Sequence, residues 1–578
     1  MLSLLLAATV AQADWRTHYE RSGYVETGRY EEAVQYCRRL DAASEQATLI
    51  HLGKSPQGRE IVALAISRDG SFHPRAAQRS KKPLILVING IHSGEIEGKD
   101  ASLILARDVL ITKKLASLID DVNLLIVPIF SVDAHERFNA YNRINQNGPK
   151  EMGWRATSVN LNLNRDWIKA DALEMRHMLR LIRDWRPDFA FDNHTTNGGD
   201  WQYVLTYGLA LSQTQHPSLV KWTEGMIDAA AAATDRDGFL TAPYFSLTSR
   251  NDPTRGITVQ DFSPRYSHAY FAAINRPAVL VETHMLKPYR QRVEATLSFM
   301  RHVIGYCGRT GAELKSANAS ADREASMRAP GEQVVLDSQL DSRSEPFTFK
   351  GYPYEPYRSE VTGTLIPSWR QVPTDFASTI RRWYRPAVTV EAPAAYAVPP
   401  QCGEVLDLLE LHGIKGRRLP RPFHRQLSSI EFTGVSFPTE PFEGRHMPRF
   451  QMKGIVEERE LPAGTLIVPV AQPLGKLALH LFEPAGPDSL VRWGFFNSIF
   501  EQKEYFETYA FEPIAKKMLA ADPILRAEFE ERLKDPAFAE SAQARLQFLW
   551  ERSPYADERL RKYPVVRLNQ ADLARLSL

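Results

Sequence analysis

Two stretches of this chain constrain its fold more than any others, because each reads as a buried strand that ends in residues able to hold a metal ion. The run PLILVING, residues 83–90, is continuously apolar up to Asn89-Gly90, and His92-Ser93-Gly94-Glu95 follows at once. A strand that is apolar on both faces needs cover on both faces, which is the pattern of parallel strands inside α/β layers. Residues 96–110 then carry helical periodicity, so the polar segment falls between a strand end and a helix start. The second stretch, WRPDFAFDNH at residues 185–194, is a short apolar strand after a helical segment, and it too ends in a polar tip, at His194. Open α/β sheets hold their ligands at the carboxyl ends of strands. Convergence of these two ends would bring His92, Glu95 and His194 together.

Two imidazoles and a carboxylate are donors that zinc accepts, and three of them leave one position of a tetrahedral ion open to water. That is the arrangement of a catalytic rather than a structural site. The spacing HxxE alone carries little weight in a protein with 15 His and 69 Asp plus Glu. Its position at a strand end, matched by a second strand end, is what makes metal-assisted hydrolysis the first expectation.

The order of further motifs resembles that of the zinc metallocarboxypeptidases of the carboxypeptidase A type. LGKSPQGREI (residues 52–61) is similar to the family's opening strands, IHSGEIEG to its ligand loop and VNLNLNRDW to its Asn-Arg substrate segment. DNHTT stands at the third-ligand position and VLVETH at that of the catalytic glutamate, so the resemblance spans residues 15–305. It implies a mixed, mostly parallel twisted sheet with helices on both faces. It also implies one Zn2+ held by His92, Glu95 and His194, with Glu282 as the general base that takes a proton from water and returns it to the leaving amine. The substrate would be a peptide with a free C-terminal carboxylate, gripped by Asn164 and Arg165, because a guanidinium fork matches a carboxylate with two parallel hydrogen bonds. Arg143 is the candidate for polarising the scissile carbonyl, with Arg155 as the second choice. Asn162 stands where the family commonly has an aspartate that supports the first zinc histidine; an amide oxygen can accept the same hydrogen bond but adds no charge. Tyr266 and Tyr270 are the candidates for a tyrosine that caps the substrate. Two other readings stand beside this one: a zinc deacylase of N-acyl amino acids, sharing the ligand plan, and a non-catalytic protein that holds peptide carboxylates.

Composition suits a folded enzyme: 578 residues, 43% hydrophobic and 24% charged, exceed one compact domain. Lys plus Arg (71) nearly balance Asp plus Glu (69), so no basic excess points to nucleic acid. The segment LSLLLAATVA and Ala11-Gln12-Ala13 read as a secretory signal peptide over residues 1–13, giving a secreted or periplasmic location. That stretch is too short to span a bilayer, so no stable membrane insertion is expected. Cys37, Cys307 and Cys402 allow at most one disulfide.

A catalytic domain is expected over residues 14–308, a polar linker or exposed helix over 309–344, and a smaller α+β region over 345–578. The last resembles an extension on some bacterial secreted members of the family. His480, Asp488 and Ser489 invite a nucleophile reading, but no G-x-S-x-G elbow surrounds Ser489. A packing or substrate-docking module that covers the cleft is the expectation for this region.

Overall fold

The computed structural model describes residues 14–210, 214–249 and 251–576. The expected signal peptide at residues 1–13 lies outside them. Among the described residues ten strands precede residue 285: β1 (Ala47–Lys54), β2 (Glu60–Ile66), β3 (Leu84–Asn89), β4 (Asn123–Val127), β5 (Phe189–Thr196), β6 (Leu205–Gly208), β7 (Thr241–Pro243), β8 (Phe245–Ser249), β9 (Asp252–Val259) and β10 (Ala278–His284). Eight of them form one sheet in the order β1-β2-β4-β3-β5-β10-β6-β7. Its centre, β4, β3, β5 and β10, is parallel, and antiparallel pairings flank it on both sides.

Every residue of β3, β5 and β10 is buried, because their alternate side chains feed two separate cores. Ile85, Val87, Phe189, Phe191, Val279 and Val281 meet helices 30–43, 97–110, 217–236 and 289–309 on one face. Leu84, Leu86, Ile88 and Ala190 belong to the other core, with helices 173–185 and 267–273. That second core continues into the C-terminal region through Leu408, Leu409, Leu477, Leu481 and Trp493. Each such side chain stabilises the fold by about 1.5–3 kcal/mol when taken out of water. The late part of the chain therefore helps to cover the second face of the catalytic sheet.

The division near residue 345 is likewise crossed by a sheet. Strand 374–381 pairs with residues 345–351 on one side and, in parallel, with β9 on the other, matching Ile380 to Ile257. Within the polar stretch 309–344, Gly311–Ser326 form a helix with Leu314, Ala317, Ala321 and Ala325 buried along one stripe. Gln333–Leu340 then form a strand against Tyr384–Glu391. Farther on, Phe423–Ser436 and Arg449–Leu461 make a long hairpin. Helices 508–521, 523–532 and 542–550 gather around their own small core of Phe511, Phe529 and Trp550. Val566–Leu568 return as a strand beside Ala395–Val398. All three cysteines are free thiols. No helix among the described residues is long and apolar enough to cross a membrane.

Candidate metal centre and substrate cleft

Parallel pairing places the chemistry. Asn89 at the end of β3 is level with Asn193 on β5, and His194 on β5 is level with Glu282 on β10. Side chains tie these ends together: Asn193 Nδ2 donates to Asn89 Oδ1 at 2.8 Å, and Asn89 Nδ2 donates to the Val127 carbonyl at 3.0 Å. Gly98 opens the helix that follows the ligand loop, and it must be glycine, since a Cβ there would stand 2.3 Å from Asn89 Oδ1 and 2.5 Å from Asn193 Cβ.

His92, Glu95 and His194 converge, all buried, with one donor atom from each lying within 4.8 Å of the others. Both imidazoles turn Nδ1 toward Glu95 Oε2, at 3.1 Å from His92 and 2.9 Å from His194. Their outer nitrogens are held from behind. His92 Nε2 lies 2.8 Å from Asn162 Oδ1, and His194 Nε2 lies 2.9 Å from Asp192 Oδ2. Outer hydrogen bonds of this kind set the tautomer and leave Nδ1 free to ligate. The donor set and its backing fit a tetrahedral zinc with one open position.

Charges are arranged around Glu95. Burial by itself would raise its carboxyl, but His92 and Arg143 hold it well below the usual range. Arg143 Nη2 at 2.8 Å and Arg155 Nη1 at 3.1 Å both donate to Glu95 Oε1, so the structure brings in both arginine candidates. The loop carrying them fits because Gly94 has no side chain: a Cβ there would stand 2.7 Å from Arg143 Cγ and 2.9 Å from the Gly153 carbonyl. Burial pushes Glu282 up to about 8, with His194 opposing and Glu95 adding to the shift. A cation bound beside it would draw that value down again.

The three donors and Glu282 open into a cleft of about 580 Å³, also lined by Arg143, Arg155, Asn164, Arg165 and Tyr266. Arg165 is half-buried, and no carboxylate pairs with it among the described residues; its guanidinium stacks 4.1 Å from the centre of the Tyr266 ring. Asn164 Nδ2 lies 3.3 Å from His194 Nε2, so the Asn-Arg pair stands directly beside the donor cluster.

Tyr270 does not belong here. It is buried one helical turn past Tyr266, packs on Trp167 and bonds His412 Nδ1 through its hydroxyl at 2.9 Å. The cleft instead receives Tyr244, Gln260 and Phe262, which carry no motif. Asp192 was also missed, although its place two residues before His194 on a strand puts both on one face. The described lining of the cleft ends at Met285, so the C-terminal region contributes no residue to it.

A buried pair of imidazoles and a carboxylate at parallel strand ends, open on one side to a polar cleft, defines a candidate metal centre of the hydrolase class. Comparison with known proteins finds that residues 33–198 match the zinc carboxypeptidase family. Carboxypeptidase 2 of Trichophyton rubrum is 22% identical over 481 residues, covering 79% of this chain and 82% of that protein. Carboxypeptidase 2 of Trichophyton equinum is 22% identical over 460 residues, with 76% and 79% covered. Among solved structures, a metallo-carboxypeptidase from Burkholderia cenocepacia aligns at TM-score 0.36 and 15% identity, covering 48% of this chain and 68% of that one. Carboxypeptidase A from Helicoverpa armigera aligns at TM-score 0.36 and 16% identity, covering 51% and 74%.

Proposed function

We propose that this protein removes C-terminal residues from peptides, with one zinc ion held by His92, Glu95 and His194. The observation that carries the reading is the meeting, in one cleft, of a buried three-donor cluster, a carboxylate level with one of its donors, and an arginine that no carboxylate pairs with among the described residues. When bound, zinc supplies a water whose pKa is lowered toward neutrality. Glu282 lines the same cleft level with His194, where its carboxylate would serve as the general base that holds a proton and passes it to the departing amine. Arg165 binds the terminal carboxylate of the peptide, and Asn164 adds a second polar contact. Arg143 and Arg155 stand at the metal-facing wall, where positive charge stabilises the developing oxyanion. Asn162 and Asp192 fix the two imidazoles.

The test is mass spectrometry of a mixed peptide pool incubated with the protein, with chelator, and with zinc restored. Stepwise loss of C-terminal residues that stops on chelation and returns with zinc is the expected result. Unchanged peptides, with N-acyl amino acids hydrolysed instead, would assign the site to deacylation. The Glu282→Gln variant should keep its zinc and lose hydrolysis by a factor of about a hundred or more.

A further inference from the structure

The C-terminal region contributes no described residue to the cleft, yet it grips the two segments that form the cleft's carboxylate-binding wall. On one segment Arg265 is clasped by Asp488. The Arg265 backbone N–H donates to Asp488 Oδ2 at 2.9 Å, its Nε donates to Oδ1 at 2.6 Å, and its Nη2 reaches the Pro487 carbonyl at 3.1 Å. The Asp488 side chain is fully buried. The guanidinium also lies 4.9 Å from the ring of buried Trp493 and 5.9 Å from that of Phe442. Immediately beside Arg265 is Tyr266, whose ring stacks under Arg165.

On the other segment, the Asn162 N–H donates to Glu443 Oε2 at 2.9 Å, and Asn162 is the residue that backs His92. Asp171, at the far end of the same segment, is held by Arg445 through bonds of 2.8 and 2.6 Å. The two segments meet where the Ser267 N–H donates to Asn164 Oδ1 at 3.3 Å. Arg165 thus sits between two anchors, and both belong to the C-terminal region.

We infer that Asp488 and Glu443 are positioning residues that set the place of Arg165 and Tyr266, so the C-terminal region tunes recognition of the substrate's terminal carboxylate without touching it. This rests on the reading of Arg165 as the carboxylate-binding group. A buried, bidentate charge-assisted clasp defines both orientation and distance. Small displacement of a binding group by a remote change is enough to cost one to two orders of magnitude in recognition.

The experiment uses the full chain loaded with zinc and carrying Glu282→Gln, so that ligands bind without being cleaved. Binding of one short peptide is compared as its free acid and as its C-terminal amide, before and after adding Asp488→Asn or, separately, Glu443→Ala. The Glu282→Gln protein should prefer the acid, and each added substitution should cut the acid-over-amide ratio by about tenfold while zinc content stays full. A contribution to stability alone would weaken acid and amide equally and leave the ratio unchanged, and that result overturns the inference. If the Glu282→Gln protein itself shows no preference for the acid, the reading of Arg165 fails first. Half-exposed Glu443 keeps the question answerable should Asp488→Asn not fold.

Discussion

Replacing Tyr270 by Phe separates the two tyrosines of residues 266–270 by mechanism. Tyr270 is 2% exposed, and its hydroxyl is 2.9 Å from His412 Nδ1. His412 is itself buried, and burial pushes its pKa down to about 4, so the ring is neutral at pH 7. Its Nε2 lies 3.1 Å from the Ile168 carbonyl. A carbonyl can only accept, so Nε2 carries the proton, Nδ1 is the acceptor and the tyrosine hydroxyl donates. Phenylalanine keeps the ring packing against Trp167 but leaves Nδ1 buried and unpaired, which costs about 1–3 kcal/mol. Urea unfolding at pH 7.5 should therefore show a loss of about 2 kcal/mol with an unchanged slope. The turnover number and KM of the folded enzyme should stay within about twofold of the parent, a change under 0.5 kcal/mol. A variant with the parent's unfolding midpoint and a turnover number reduced tenfold or more would refute the assignment of Tyr270 to the core.

Two other substitutions probe features that look neutral in sequence. Gly98→Ala raises helix propensity, yet its Cβ would collide with Asn89 and Asn193; circular dichroism melting should show a loss of about 3 kcal/mol rather than a gain. Lys476 is buried with no anionic partner among the described residues, and burial pushes its pKa from 10.5 down to about 7. The folded state therefore binds fewer protons than the unfolded chain between pH 7 and 10.5, so this group makes stability rise with pH in that window. Lys476→Met should raise the melting temperature at pH 7 and flatten the rise between pH 7 and 9.5, as differential scanning calorimetry would show.

Local pattern made the centre of the molecule legible. The strand of residues 84–89 announced itself because burial on both faces leaves a nearly unbroken apolar run, and that of 189–196 through its apolar start, Phe189-Ala190-Phe191, before a polar end. The convergence of His92, Glu95 and His194 followed from where those runs end. Asn162 behind His92 was readable from its offset to the Asn-Arg pair. Sequence order put Arg143 ahead of Arg155, but it could not foresee that both reach the same Glu95 oxygen. Tyr270 misled because residue type does not tell which face of the helix 267–273 points at the C-terminal region. Tyr244, Gln260 and Phe262 enter the cleft through the packing of short strands, with no spacing to mark them. Least legible was the partnership across residue 345, where the decisive contacts join side chains hundreds of positions apart and leave no periodic trace.

The clasp between Arg265 and Asp488 sets a schedule for biosynthesis. The two residues are 223 positions apart, and a ribosome adds roughly 5–20 residues per second, so Asp488 is made about 11–45 s after Arg265. During that interval the three metal donors, Glu282 and Arg165 have all been synthesised, but the Arg265 side of the wall lacks its anchor. The residues of the candidate metal centre are thus made well before this anchor, and the wall around Arg165 can be fixed only once Asp488 has followed them.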